Sequence, residues 1–209
     1  MSYTPSQSSL KMADSMGGYN LLRDRAWSLD DYAIESIRLE DAEPVRIWRN
    51  QQIDVLRQSQ SLTVDQQKEY FKKEVLPEFE LPHPNQILVR FTLDGKLIGY
   101  GGIVHINWAD QRGEVSFLLD TMRAQDTETY RKEIAIFLRL ILDLAFNELC
   151  LNKLCTESYA HRTYHVDAIE ESGFVREGVL RKHTLIDGRW YDAVVASVLR
   201  EEYLICENA

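Results

Sequence analysis

The middle of the chain reads EVSFLLDTMRAQDTETYRKEIAIFLRLILDLAFNELCLNKLCTES over residues 114–158. Residues 114–119 and 153–158 are short segments that we predict to be strands, the second of them buried. Between them, apolar residues recur at helical spacing over residues 130–149, which predicts a long amphipathic helix. A crossover of this kind is what two parallel strands require. The stretch therefore predicts a parallel pair of strands with a helix packed across it.

Strands and helices on both sides of this unit predict an α+β fold. Asp94-Gly95 and Asp187-Gly188 are strong hairpin signals, and Thr63 with Gln66 forms a capping box at the start of a helix. We predict strands at residues 32–39, 86–93, 96–106, 174–185 and 190–199, helices at 40–50, 63–76 and 164–172, and a proline-rich loop at 77–85. This order predicts a mixed, mostly antiparallel sheet with helices on both faces.

Length and composition limit the possible partners and the compartment. The chain has 209 residues and a formal net charge of -9, which argues against a general nucleic-acid binder because such proteins need a basic face. The apolar runs fall short of the ~20 residues of a membrane-spanning helix, so no membrane partner is expected. Residues 1–25 read as a disordered or loosely packed arm without a signal peptide, ahead of a single domain at 26–209. Three cysteines, an odd number, fit free thiols in a reducing cytoplasm, and none has a histidine at metal-ligand spacing.

The carboxyl-terminal half resembles a known family. The run LDLAFNELCLNKL at residues 142–154 looks like the long helix and following strand of the GNAT N-acyltransferases. The run AIEESGFVREGVLRKHTLIDGRWYDAVVASVL at residues 168–199 looks like the end of that fold, and its Gly-Phe pair and final Asp-Gly hairpin are typical of the RimJ/RimL-like branch. The run RIWRN at residues 46–50 resembles sugar-nucleotide N-acetyltransferases of the pseudaminic-acid pathway.

This resemblance implies acetyl-CoA as the co-substrate. In the family, the central strand and the strand after the long helix splay apart, and acyl-CoA lies in the gap between them. Backbone groups of the central strand bind the pantetheine arm, and here those groups belong to Phe117, Leu118 and Leu119. The same backbone would stabilise the oxyanion of the tetrahedral intermediate.

The loop that would bind the pyrophosphate departs from the family pattern. Relatives have a glycine-containing loop ahead of the long helix, but here residues 129–134 contain no glycine. Asp126 and Glu128 stand where an anion would bind, and acidic residues stabilise a helix N-terminus themselves. We therefore expect the side chains of Arg123, Arg131 and Lys132 to bind the phosphates instead.

The candidate catalytic residues follow from the needs of acyl transfer to an amine. A base must take a proton from the ammonium, and an acid can protonate the departing thiolate. The resemblance makes Glu114, at the start of the central strand, the base. The tyrosine that relatives often carry before the Gly-Phe pair is Ile169 here, and an Asn-x-x-Ser pattern is replaced by Arg162 and His165. Tyr164 and His165 are the remaining acids, and His165 is preferred because imidazole titrates near neutral pH.

The candidate acceptor residues are basic or lie on a hairpin strand. Arg46 and Arg49 share a helix face, with Arg57 close behind in sequence, and guanidinium groups bind phosphates bidentately. Alternation places His105 and Asn107 on one face of a strand that would look into the substrate cleft. For each of these groups the alternative is structural, namely salt bridges from the arginines to nearby carboxylates and a satisfied histidine in a sheet.

Three functions remain open at this point. The first is transfer of an acetyl group from acetyl-CoA to the amine of a small acceptor, and a nucleotide-linked amino sugar is preferred. The second is acetylation of a protein N-terminus, as in RimJ/RimL. The third is a non-catalytic binding protein that keeps the fold without the cofactor loop. We expect no metal, and a homodimer is possible.

Overall fold

Eight strands and six α-helices make up the computed structural model over the residues it describes, which are 17–24, 26–56 and 58–207. The strands are β1 (Ala26–Leu29), β2 (Tyr32–Ser36), β3 (Ile87–Leu93), β4 (Lys96–Asn107), β5 (Arg112–Leu119), β6 (Lys153–Tyr159), β7 (Val175–Ile186) and β8 (Arg189–Leu199). The helices are α1 (Ala42–Gln51), α2 (Val64–Tyr70), α3 (Thr121–Gln125), α4 (Thr127–Asp143), α5 (Thr163–Glu171) and α6 (Arg200–Glu207).

The strands form one sheet in the order β1-β2-β3-β4-β5-β6-β8-β7. Every neighbouring pair is antiparallel except β5 and β6, which pair in parallel only from Arg112–Glu114 to Lys153–Cys155. Beyond these residues β5 continues along β4 as far as Leu119, whereas β6 continues along β8 as far as Tyr159. The two central strands therefore diverge and leave a gap, so the predicted splayed parallel pair is confirmed.

Helices cover both faces of the sheet. Phe91 of β3 packs against Phe137 of α4, with ring centroids 5.4 Å apart, while its neighbour Arg90 forms a salt bridge with Asp41, just before α1, at 3.3 Å. Adjacent residues of a strand point to opposite faces, so α4 and α1 lie on opposite sides. Phe117 joins Phe91 and Phe137 in one aromatic cluster, which anchors α4 on the central strand.

The capping and turn signals of the sequence are confirmed, but one boundary is wrong. Thr63 and Gln66 form the predicted capping box, and Asp94-Gly95 turns with φ of 50° and 74°. The helix after Thr63 does not stop at Pro77, because it continues as a π turn at Phe71–Val75 and a 3-10 turn at Leu76–Glu80. Pro77 occupies the start of this 3-10 turn, where a missing N–H costs little.

Three secondary-structure elements and the first residues of the folded domain are not predicted from the sequence. The sequence analysis does not predict β1, α3 or α6. Residues 17–24 belong to the fold rather than to an arm, because the Tyr19 side chain is fully buried and its hydroxyl accepts a hydrogen bond from the Leu88 N–H at 2.8 Å. Residues 1–16 and Arg25 of the predicted arm lie outside the described residues.

Candidate active site

The gap between β5 and β6 contains a cavity of about 250 Å³. Residues 114–117 of β5 form one wall, and residues 156–159 of β6 form the other. The structure brings five of the predicted site residues to this cavity, which are Arg49, His105, Glu114, Phe117 and His165. Residues that are far apart in the sequence therefore meet where the parallel pairing ends, the position at which open α/β sheets bind ligands.

A second cavity of about 400 Å³ adjoins the first on the α1 face of the sheet. Arg49, Val104, His105 and Ser116 line both cavities. The second cavity is also lined by polar side chains, which are Gln67, Tyr70, Asn85, Gln86 and Tyr100. None of the described residues that line it carries a carboxylate. The two cavities can hold the two halves of a bisubstrate reaction, with Ser116 and His105 at the boundary.

Glu114 lies at the point where β5 and β6 separate. It is half-buried, pairs with Val104 of β4 and is the last residue of β5 that pairs with β6. Cross-strand partners share a face, so Glu114 points to the same side as Val104, which lines both cavities. A carboxylate at this place can reach ligands on either side of the boundary.

A β-bulge separates the two residues that alternation places together on β4. The register shifts between Val104 and Asn107, and His105 has φ of 51°. The extra residue changes which face the following side chains take. His105 lines both cavities, whereas Asn107 is hydrogen-bonded to Asp110 in the β4–β5 turn at 2.7 Å and lines neither. The prediction of a shared face for His105 and Asn107 is therefore wrong.

Only one of the two described arginines of the predicted basic cluster reaches the site. Arg49 donates from Nη1 to the Tyr100 hydroxyl at 2.8 Å and from Nε to Gln58 at 2.9 Å, and it lines both cavities. Arg46 instead forms an ion pair with Glu43 at 2.7 Å and lines neither cavity. The structural alternative thus holds for Arg46. Arg57 lies outside the described residues.

His165 belongs to a buried hydrogen-bonded cluster with Tyr130 and Arg162. The Tyr130 hydroxyl lies 2.8 Å from His165 Nδ1 and accepts from Arg162 Nη2 at 3.2 Å. Because a phenol oxygen can accept from Arg162 and also either donate to or accept from Nδ1, these contacts are compatible with both neutral tautomers of His165. Tyr164 is joined to the cluster through Arg162 Nη2 at 3.4 Å and does not line the cavity.

Burial sets the protonation state of this cluster. Burial and the neighbouring Arg162 guanidinium lower the pKa of His165 to about 3, and burial raises the pKa of Tyr130 to about 12. Both groups are therefore neutral at pH 7. His165 is preferred as the acid in the sequence analysis because imidazole usually titrates near neutral pH. A pKa of about 3 removes that reason.

The basic side chains expected to bind phosphate are engaged elsewhere. Arg123 donates from Nε to the fully buried Glu133 of α4 at 2.8 Å. Arg131 forms an ion pair with Glu171 at the surface. Lys132 is exposed, 5.6 Å from the centroid of the Tyr32 ring. None of the three lines the gap cavity, so the structure does not assemble the expected phosphate site.

The N-terminus of α4 is capped by the protein itself. The Asp126 carboxylate accepts a hydrogen bond from the Thr129 N–H at 3.0 Å, and hydrogen bonds from Thr129 hold the pKa of that carboxyl below its usual value. A phosphate at this helix end would have to displace a charged cap. The structure therefore shows an acidic cap at the helix end where relatives would bind the pyrophosphate.

Two residues of the site, Tyr130 and Arg162, are not predicted as site residues. Arg162 is visible in the sequence as a departure from the asparagine of relatives, and Tyr130 as a bulky residue in the usual glycine loop. Neither departure shows that the two side chains would meet.

The described residues offer neither a membrane span nor a metal site. No helix among them is long and apolar enough to span a bilayer. They also contain no group of three or more His, Cys, Asp or Glu residues arranged to hold a metal ion.

Comparisons with known proteins agree on one family. The sequence model described as "Acetyltransferase (GNAT) domain" matches residues 34–195. The chain is 23% identical over 177 residues to the SPbeta prophage-derived uncharacterized N-acetyltransferase YokL of Bacillus subtilis, covering 85% of this chain and 94% of that protein. It is also 29% identical over 110 residues to the probable N-acetyltransferase YjcK of the same organism, covering 52% of this chain and 58% of that protein.

Solved structures with a similar fold include spermidine N-acetyltransferases of Vibrio cholerae. Mutant forms of the spermidine/spermine N-acetyltransferase SpeG match with a TM-score of 0.72 and 20% identity, covering 86% of this chain and 99% of that one. The complex of the Vibrio cholerae enzyme with CoA and spermine also has a TM-score of 0.72, with 20% identity and coverage of 84% and 99%. At this identity the likeness concerns the fold.

Proposed function

Because the chain belongs to the GNAT acetyltransferase family, we propose that it acetylates the amine of a small hydroxylated acceptor, with a nucleotide-linked amino sugar as the preferred class. The premise is that the protein is an acyl-CoA-dependent N-acetyltransferase with acetyl-CoA as its co-substrate. The proposal concerns where each substrate binds, which residues act on it and which acceptor fits.

The lining of the second cavity carries the proposal for the acceptor. Its described residues offer amides, phenols, His105 and the Arg49 guanidinium, and none offers a carboxylate. A polyamine is a polycation, and beyond the one ammonium group that Glu114 could receive at the boundary, it would meet the like charge of Arg49 with no carboxylate among the described lining residues to offset it. A hydroxylated acceptor with an anionic group suits these donors, because guanidinium binds phosphate well. The preferred acceptor therefore differs from the spermidine named for the structural neighbours.

We place acetyl-CoA in the gap between β5 and β6. Beyond Glu114, β5 has no strand on the edge that faces β6, so alternate backbone N–H and C=O groups of that edge can bind the amides of pantetheine. The relevant segment holds Phe117, Leu118 and Leu119. A backbone N–H of this segment would also donate to the oxyanion of the tetrahedral intermediate.

The proposed chemistry begins with Glu114. Its carboxylate accepts the ammonium proton, directly or through water, and the free amine attacks the thioester carbonyl carbon. The C–N bond forms and the C–S bond then breaks, so CoA departs as a thiolate that must be protonated or electrostatically stabilised. His165 has a neutral imidazole, so as an acid it would need its proton replaced through the hydrogen-bonded Tyr130, and we give it that lesser role.

Two lesser parts of the proposal concern assembly and compartment. β7 is an edge strand with exposed apolar residues, including Val175 and Leu185, and such an edge suits a homodimer contact.

Free thiols at Cys150 and Cys155 suit the reducing cytoplasm.

An acceptor panel tests the proposal. Release of CoA would be followed with acetyl-CoA and, separately, nucleotide-linked amino sugars, free amino sugars, spermidine and peptides with free N-termini. The proposal predicts the highest kcat/KM for an amino sugar that carries a nucleotide. Turnover confined to peptides would instead support the RimJ/RimL-type function, and turnover confined to spermidine would contradict our view of the second cavity.

A further inference from the structure

Arg162 is a half-buried cation without a carboxylate partner in the described part of the chain. Its side chain donates from Nη2 to the phenol oxygens of Tyr130 and Tyr164, at 3.2 and 3.4 Å. Its Nε is buried and has no hydrogen-bond partner. Arginine remains protonated in proteins, and a buried charge is costly unless an opposite charge or enough hydrogen bonds compensate it. Two neutral phenols leave this guanidinium poorly compensated.

The guanidinium lies at the end of the gap where the coenzyme must leave it. Arg162 follows the last residue of β6 by three positions and precedes α5. Its partner Tyr130 lies in the first turn of α4, which follows β5. The hydrogen bond between them therefore joins the two sides of the gap at the carboxyl ends of the parallel strands. Arg162 also lines the gap cavity.

The diphosphate of the coenzyme is an anion of the kind that Arg162 lacks as a partner. The backbone cradle of a glycine loop is lacking here, and Asp126 occupies the α4 N-terminus. Arg123 and Arg131 are paired with carboxylates. Lys132 is exposed over the Tyr32 ring and does not line the gap cavity, whereas Arg162 does, so the diphosphate of CoA and the Arg162 guanidinium are suited to each other as partners. Its Nη1 makes neither of the two bonds to the phenols and remains to contact a phosphate, whereas Nε is shielded from solvent in the free protein.

We propose that Arg162 binds the diphosphate of acyl-CoA and replaces the glycine loop in that task. The inference rests on acyl-CoA as the co-substrate but does not depend on the acceptor. Tyr130 and Tyr164 hold the guanidinium in the free protein, and the phosphate oxygens add the charge compensation that the phenols do not provide. Affinity for the coenzyme then depends on a side chain at the start of α5 rather than on backbone N–H groups of α4.

Calorimetric titration with three ligands tests this assignment. CoA, 4′-phosphopantetheine and pantetheine share the arm that enters the gap and differ in their phosphates. Loss of one charged contact should weaken CoA binding to Arg162→Gln roughly 10- to 100-fold, while pantetheine binding stays unchanged. Arg162→Lys should recover part of the loss, because it keeps the charge without the fork. Arg176→Gln is the matched control, since Arg176 is ion-paired with Glu170 at the surface, and it should bind CoA as the wild type does.

Two results of these titrations would overturn the assignment. An equal loss for all three ligands would mean that Arg162 contacts the pantetheine arm or only supports the fold. Unchanged CoA binding to Arg162→Gln would place the diphosphate elsewhere. If Arg162→Gln does not fold, Arg162→Lys decides, because it keeps the charge but should still bind CoA more weakly than the wild type while pantetheine binding stays unchanged. Binding of CoA without turnover of any amine would count against the proposed acceptor and leave this inference intact.

Discussion

Replacing Arg49 with alanine should weaken acceptor binding and leave acetyl-CoA binding unchanged. Arg49 lines both cavities, and its guanidinium is held in place by Tyr100 at 2.8 Å and Gln58 at 2.9 Å. Because these two bonds fix the group, the acceptor loses one charge-assisted hydrogen bond in the variant. Such a bond contributes about 1.5–3 kcal/mol, which corresponds to a rise in acceptor KM of roughly 10- to 100-fold.

The stability of the variant must be separated from its binding. The Tyr100 phenol is buried, and loss of its partner leaves a buried polar group at a cost of about 1–3 kcal/mol. The Tyr100→Phe background removes that group, so Arg49→Ala made in this background should cost less stability than in the wild type. The rise in acceptor KM should be nearly the same in both backgrounds.

Initial rates provide the assay. Acceptor KM is measured at saturating acetyl-CoA, and acetyl-CoA KM at saturating acceptor. The matched control is Arg46→Ala, because Arg46 shares helix α1 but pairs with Glu43 outside both cavities. It should change acceptor KM less than about twofold, because the Arg46–Glu43 ion pair lies outside both cavities and such a pair acts mainly on stability. The reasoning is refuted if Arg46→Ala matches Arg49→Ala, or if both KM values rise together.

Three further predictions concern the base, the buried imidazole and a buried ion pair. Glu114→Gln should lower the turnover rate by ~10²–10⁴-fold near neutral pH, and pH-rate profiles should show the deficit shrinking as the free amine becomes abundant at high pH; a constant deficit would count against a base. Because the pKa of His165 is depressed in the folded state to about 3, the unfolded chain binds the extra proton below about pH 6.5. The free energy of unfolding should therefore fall about 1.4 kcal/mol per pH unit more steeply in the wild type than in His165→Asn between pH 6 and 4, and equal slopes would contradict the burial of a neutral imidazole. Urea unfolding of Glu133→Ala should show a loss of about 1–3 kcal/mol, because Arg123 loses its buried partner but keeps 32% of its side chain exposed to solvent, whereas Glu171→Ala at the surface should cost about 0–1 kcal/mol; similar losses would contradict the difference in burial.

The crossover at the centre of the fold can be predicted from the sequence because its signals are local. A long run of helical periodicity between two short strands leaves few alternatives, and the hairpin turns carry Asp-Gly pairs. The five-residue α3 is too short to show periodicity. The bulge at His105 has no glycine or proline to mark it, and a one-residue register shift is enough to separate His105 from Asn107.

The candidate site is predicted only in part because pairing between charges is a property of the fold. Arg123 and Glu133 are ten positions apart and meet because α3 turns into α4. Arg46 shares a helix face with Arg49, but its guanidinium pairs with Glu43 and lines neither cavity. The resemblance identifies the strand that holds Glu114, whereas the burial of His165 follows from packing that the sequence does not display.

A structure of the protein with bound CoA would show directly whether the coenzyme lies between β5 and β6. The account predicts that the pantetheine arm lies between β5 and β6, hydrogen-bonded to the backbone of residues 115–119, with its sulfur near Glu114 and its diphosphate on Arg162. A coenzyme bound outside this gap, or a diphosphate held by backbone N–H groups of residues 130–134, would contradict it.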